Sequence, residues 1–284
     1  YGQYLHRRLK VPVGVINIAQ GGSYAREWCS REVLEKLNSP TVNAQLESFA
    51  EKQKVAETVK WRGGPNELYN ARLYPIRNLT VAGVIYMQGE NESITGDIPQ
   101  YWKTFPGVIE TYRAALGNPN LPFGIITLQG FGGYADAREI HLQTHKKTPN
   151  TGYIVAHDIG GNIHPTWKRP LAERSVYWAL RDVYRVIPHG RQVRVKETNF
   201  SEGKAKILFE ELRLHGREWK VLRTVMPWTN DQQPPAGFEI AGEDQVWYRA
   251  RISRGLSDAE GLLLSHPMVA KPVAIRYAWG GYPC

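Results

Sequence analysis

The sequence predicts an α/β domain built on a parallel sheet with helices on both faces, followed by a β-rich second domain. Three observations carry this. Up to about residue 188, short apolar runs alternate with stretches of helical periodicity. The runs are continuously apolar rather than alternating apolar and polar, the pattern of strands covered on both faces. Beyond Pro188-His189-Gly190 the helical periodicity fades, and strand-like segments stand between turn-rich stretches. The division expected is therefore residues 1–188 and 189–284. An apolar content of 42%, with nine Trp and fifteen Tyr, supplies an ample core and excludes general disorder.

The elements follow in order. Tyr1 to Arg8 reads as the last turns of an amphipathic helix, so the chain is expected to be a piece that opens inside a longer polypeptide. Val13-Gly-Val-Ile-Asn-Ile-Ala19 is the first expected strand and ends at Gly21-Gly22. Val81 to Met87 is the second, ending at Gly89. Phe123 to Leu128 runs to Gly130, and Tyr153 to Ala156 runs to Asp158. Helical spacing is clear in Val108 to Leu116 and in Ala137 to His145. The last helix, from Pro170 to about Tyr184, places Val176, Leu180, Val183 and Tyr184 on one face, with Pro170 near its first turn. In the β-rich part, strands are expected over 192–196, 204–209, 237–241, 245–250 and 272–278. The chain stops soon after the last of them, so it is expected to be cut at this end too.

Composition also narrows the partners. The net charge of +9 raises nucleic acid as a partner, but Lys and Arg are scattered among acidic residues and form no long basic run. No nucleic-acid partner is expected, and the basic balance suits an acidic small substrate or an anionic glycan equally well. No stretch approaches the ~20 uninterrupted apolar residues of a membrane helix. Cys29 and Cys284 lie far apart in the sequence, a spacing that fits free thiols and leaves pairing open. His141 and His145 have i, i+4 spacing but lack the Glu of a zincin motif, and a helix surface accounts for them. No metal or cofactor is expected.

The chemistry points to three turns. His164, in Asp158-Ile-Gly-Gly-Asn-Ile-His164-Pro165, follows an apolar run and precedes a helix, where an imidazole can take a proton from a nucleophile. Gly21-Gly22 lets the backbone turn tightly and aim an N–H at a ligand. Gly89-Glu90-Asn91 sets a side-chain amide beside another such turn. Each is ordinary alone, as a turn, a turn-forming Asn or a capping His. Together they fall at the strand ends of one α/β sheet, where such folds bind ligands.

These turns resemble those of SGNH-type esterases, in particular the sialate O-acetylesterases. Val11-Pro-Val-Gly-Val-Ile-Asn-Ile-Ala-Gln-Gly-Gly-Ser23 is similar to that family's V-P-V-G-L-I-N-S-x-W-G-G-T. Leu68-Tyr-Asn-Ala-Arg-Leu-Tyr-Pro75 echoes L-Y-N-x-x-I-x-P, and Val84-Ile-Tyr-Met-Gln-Gly-Glu-Asn91 echoes V-I-W-Y-Q-G-E-x-N. Asn162-Ile-His-Pro-Thr-Trp-Lys-Arg-Pro-Leu-Ala-Glu-Arg174 and Pro272-Val-Ala-Ile-Arg-Tyr-Ala-Trp279 match two further phrases, so the likeness runs along nearly the whole chain. It implies a flavodoxin-like (SGNH hydrolase) sheet and hydrolysis of acetyl esters on sialic acid or other glycans. His164 would be general base and then acid, Gly22 and Asn91 would form the oxyanion hole, and Gln88 and Glu90 would shape the turn or meet substrate. A secreted, periplasmic or lysosome-like compartment is likewise what the family implies.

Three departures accompany the resemblance. The family's nucleophilic Ser lies upstream of V-P-V-G, so it is expected outside this chain, and the piece alone is expected to be inactive. Of the serines present, Ser23 reads as a helix cap and Ser93 as a turn residue. The family more often writes its asparagine one place later, where this chain has Glu92. An acid commonly sits two or three places before the His, where this chain has Gly161 and Asn162. Asp158 is the candidate orienting acid, and a Ser–His pair with a backbone carbonyl fixing the imidazole tautomer is the alternative. A non-catalytic carbohydrate-binding relative of the same fold is the second reading, since many Trp and Tyr suit sugar stacking.

Overall fold

The computed structural model describes residues 1–55, 63–160, 162–187, 195–209, 237–252 and 261–280. The chain divides into two compact units, Tyr1–Gly190 and Arg191–Cys284.

The first unit opens with α1 (Gly2–Leu9), which buries Leu5 and ends at Lys10 in the left-handed region. The next run, Val13 to Ala19, corrects the sequence reading. It holds no regular secondary structure, and Val15 and Ile16 stand 67% and 49% exposed. Its residues are good β formers, but a strand exists only through a partner ladder, and no described strand pairs with it. Three helices follow: α2 (Ala25–Trp28), α3 (Arg31–Lys36) and α4 (Pro40–Val55). Ser30 caps α3 by accepting the Val33 N–H at 3.3 Å. A π-helical turn over Tyr69–Leu73 then leads into a 3-10 turn over Tyr74–Ile76.

The sheet comes next. β1 (Val84–Tyr86) is followed by α5 (Glu90–Thr95) and α6 (Ile98–Ala115), then β2 (Phe123–Ile126), α7 (Ala135–Lys147), β3 (Thr151–Ile154) and α8 (Arg169–Trp178). α8 runs on into a π-helical turn over Ala179–Val183. The strands pair in the order β1-β2-β3, all parallel, with Val84 opposite Phe123 and Gly124 opposite Gly152. Both faces are covered, as continuous apolar strands require. Phe123 and Ile125 pack into one core with Tyr86, Phe105 and Ile140, and Ile126 and Ile154 pack into a second core with Leu5, Leu171 and Trp178. Trp178 explains the paired glycines: a Cβ would stand 2.7 Å from its ring at Gly124 and 2.1 Å at Gly152. The indole lies across two neighbouring strands where only hydrogen atoms leave room.

In the second unit, β4 (Val195–Ser201), β5 (Lys204–Phe209), β6 (Phe238–Ala241), β7 (Trp247–Arg249), β8 (Arg251–Ile252), β9 (Leu262–Ser265) and β10 (Ala274–Tyr277) form two antiparallel sheets, ordered β10-β6-β7 and β4-β5-β9-β8. Ala205, Ile207, Ile240, Leu262 and Leu264 share one core there. Residues 192–194 of the first strand expected in this region lie outside the described residues. The sequence reading missed β9, whose apolar run is only three leucines long. Among the described residues, no helix is long and apolar enough to cross a membrane.

Candidate active site

After β1 the chain turns at Gly89, whose φ of 134° lies in the region that favours glycine. A Cβ there would also stand 2.9 Å from the Tyr101 hydroxyl. That hydroxyl, buried on α6, donates to the Gln88 carbonyl at 2.8 Å. The imidazole Nε2 of His141 lies 2.8 Å from the same hydroxyl and 3.1 Å from the Gln88 carbonyl. Both contacts suit an Nε2 that carries the ring's proton. His141 corrects a second expectation: it is fully buried, not on a helix surface. Burial pushes its pKa down to about 3, so it is a neutral strut beneath the turn and not a proton carrier at neutral pH.

The Gly22 and Gly89 turns are joined directly. The Asn91 side-chain amide donates to the Gly22 carbonyl at 2.6 Å. A primary amide has two N–H donors, so one stays available for a ligand. Beneath this contact, Glu92 accepts the Ala25 N–H at 2.6 Å and the Gln88 side-chain amide at 2.5 Å. Gln88 Nε2 also reaches the Ser23 carbonyl at 3.1 Å. Burial is the main cause raising the Glu92 pKa to about 7, against the pull of the Ala25 N–H, the Gln88 amide and Arg26. Arg72 braces the approach to the Gly22 turn by donating to the Gln20 side chain at 2.7 Å.

Neither serine near these turns has a free hydroxyl. Ser23 is buried, donates to the Gln20 carbonyl at 2.9 Å and accepts the Trp28 indole N–H at 2.9 Å. It is therefore not the cap of α2, a position held by Tyr24. Ser93 is inside α5 and donates back to the Gly89 carbonyl at 2.8 Å.

His164 lies exposed in the loop between β3 and α8, with its own N–H held by the Asn162 side chain at 2.7 Å. Gln129, three residues past β2, fixes this loop by donating to the Ile163 carbonyl at 2.9 Å. The charges of His164 and Lys168 reach Glu90, where they oppose the upward push of burial on its carboxyl pKa. Asp158 is turned elsewhere: its two oxygens accept from Arg174 on α8 at 2.6 and 2.5 Å. Among the described residues, no hydrogen bond joins it to His164. The structure thus gathers Gly22, Gln88, Glu90 and Asn91, sets His164 within electrostatic reach of Glu90, and ties Asp158 to a helix. Cys29 is buried, and its thiol donates to the Thr104 carbonyl at 3.4 Å, while Cys284 lies outside the described residues. Among the described residues, no group of three or more His, Cys, Asp or Glu is arranged to hold a metal ion.

The family model for carbohydrate esterase, sialic acid-specific acetylesterase, matches residues 2–168, more than half of the chain. The chain belongs to that family. Other acetylesterases agree with it. The mouse (Mus musculus) sialate O-acetylesterase is 26% identical, covering 100% of this chain and 58% of its own length. The human (Homo sapiens) protein is also 26% identical, over 100% and 55%. A crystal structure of a carbohydrate acetylesterase from Xanthomonas citri superposes with a TM-score of 0.74 at 26% identity, covering 99% of this chain and 59% of that one. The chain thus spans little more than half the length of these relatives. Around these turns, sequence reasoning gave no role to Glu92, Tyr101 or Gln129, and set His141 on a helix surface. A signal existed for Gln129, a polar residue set directly after a buried strand at its carboxyl end. Glu92 carried no such signal, because Gln88 lies outside α5 and the helical i, i+4 rule does not join them.

Proposed function

We propose that the protein is a carbohydrate O-acetylesterase that hydrolyses acetyl esters on sialic acid or other glycans. The observation that carries this reading is the Asn91–Gly22 contact of 2.6 Å, which brings the two candidate oxyanion turns together. The electrostatic reach from His164 to Glu90 supports it.

In this mechanism a serine hydroxyl attacks the acetyl carbonyl while His164 takes its proton. The carbonyl oxygen becomes an oxyanion, stabilised by the Gly22 backbone N–H and the second N–H of Asn91. Collapse breaks the bond from the carbonyl carbon to the sugar oxygen, which takes the proton from His164 and leaves as a hydroxyl. Water then hydrolyses the acetyl-enzyme by the same steps, with His164 as base again. Ser23 and Ser93 both donate to backbone carbonyls within the fold, which supports a nucleophile supplied from outside residues 1–284. Asp158 is assigned to anchoring α8, and a Ser–His pair performs the proton transfers. Glu90, half-buried and within the electrostatic reach of His164 and Lys168, is assigned to meeting the sugar.

The test is acetate release from p-nitrophenyl acetate and from O-acetylated sialic acid by the full-length protein. His164→Ala is expected to lower turnover by about 100-fold or more. Unchanged turnover would remove His164 from the reaction. Glycan binding without acetate release would support the non-catalytic reading. Substantial activity of residues 1–284 alone would place the nucleophile inside the chain.

A further inference from the structure

The two turns assigned to the oxyanion hole belong to segments 67 to 69 residues apart, and one buried carboxyl lies between them. Glu92, in the first turn of α5, is 2% exposed. One of its oxygens accepts the Ala25 N–H at 2.6 Å, just where α2 begins after the Gly22 turn. The other accepts Gln88 Nε2 at 2.5 Å, and the same nitrogen donates to the Ser23 carbonyl at 3.1 Å. The Asn91–Gly22 bond lies above these contacts, toward solvent. Three bonds therefore cross between residues 22–25 and 88–92, and the fourth locks Gln88 to Glu92.

We propose that Glu92 is a positioning residue that, through Gln88 and the Ala25 N–H, sets the spacing between the Gly22 backbone and the Asn91 amide. This rests on the acetylesterase reading above. Both carboxyl oxygens are committed inside the protein, so Glu92 does not itself touch a substrate. A buried acid is a costly way to fill space, and an apolar residue of similar volume would serve packing alone at least as well. What a carboxyl adds is direction: two acceptors held at a fixed angle, each aimed at a donor on a different segment. Its surroundings supply little opposite charge. Arg26 of α2 is the one cation that acts on it, and Arg26 is itself paired with Asp97 at 2.7 Å. Tyr86 of β1, Tyr101 of α6, and Cys29 at the end of α2 complete the titratable groups that feel it. Oxyanion donors act only when held where the charge develops, and a displacement of about 1 Å costs on the order of 100-fold in rate.

The experiment compares Glu92→Ala and Glu92→Gln with wild type in the full-length protein. It reads kcat and KM for p-nitrophenyl acetate alongside amide hydrogen exchange. For Glu92→Ala, the Ala25 amide is expected to exchange roughly 100-fold faster while Ile125, in the middle of the sheet, keeps its protection. Its kcat is expected to fall by about 100-fold with KM changed less than about threefold. Glu92→Gln keeps an acceptor for Ala25 but turns an N–H toward the Gln88 N–H. It should retain Ala25 protection and lose about tenfold in kcat. Wild-type kcat in the alanine variant would overturn the proposal, as would equal loss of protection at Ala25 and Ile125. Absence of acetate release by wild type would instead refute the acetylesterase reading. The Ala25 exchange rate would then judge the clamp alone: unchanged in Glu92→Ala, it is refuted, and selectively faster, it stands.

Discussion

Replacing Glu92 by Gln removes a titration as well as an acceptor, and the structure sets the size of the effect. Burial raises the carboxyl from 4.5 to about 7 in the folded chain. Between those values the unfolded chain has released the proton while the folded chain still holds it. Folding then binds protons, so stability falls as pH rises. The contribution is complete below pH 4.5 and has gone above about 7. At 1.36 kcal/mol per unit, the shift corresponds to about 3 kcal/mol. For a unit of this size, that is roughly 6–12 °C in Tm. The assay is calorimetric melting of the Tyr1–Gly190 unit within the whole chain, at pH 4.5, 6, 7 and 8, for wild type and Glu92→Gln at one ionic strength. Glu90 also has a raised pKa, but it titrates in both proteins and cancels in the comparison. Wild type is expected to lose stability relative to the variant as pH rises. A Tm difference that stays constant from pH 4.5 to 8 would refute the argument that Glu92 is protonated by burial.

Further expectations follow from the same contacts. Gly152→Ala places a methyl 2.1 Å from the Trp178 indole and should cost about 1–3 kcal/mol in a denaturant titration, an unshifted midpoint contradicting the packing. Asp158→Asn breaks a paired charge whose side chains are 20% and 18% exposed, so a loss of about 1–3 kcal/mol is expected after solvent screening. Its acetate release should stay within about tenfold of wild type, and a fall near 10⁴-fold would make Asp158 the acid that orients His164. Ile16→Lys should reduce light scattering of residues 1–284 at matched concentration, because it breaks an exposed apolar run. Unaltered scattering would show that the run does not drive association.

The parallel sheet was legible because its strands are apolar on both faces, and that property is written in consecutive residues. Strand length was not. Val81 to Met87 reads as one run, but β1 starts at Val84 because its ladder begins opposite Phe123. The same rule leaves Val13 to Ala19 unpaired: β propensity is local, whereas a ladder needs a neighbour. His141 shows the equivalent limit for helices. Spacing puts it on a defined face of α7, yet only the packing of α6, with the Phe105 and Tyr101 ring centroids 4.7 and 5.9 Å away, makes that face a buried one.

By itself the sequence determined the α/β class, the glycine turns at the strand ends and the family, since periodicity, turn chemistry and motif order are properties of neighbouring residues. The tertiary structure alone decided which groups meet. Asp158 belongs to Arg174, Asn91 reaches Gly22, and Glu92 stands between two segments 67 residues apart. Such pairings arise only once the cores on the two sheet faces have packed. A buried carboxyl then takes whichever donors that packing brings within 3 Å, and no local pattern encodes the choice.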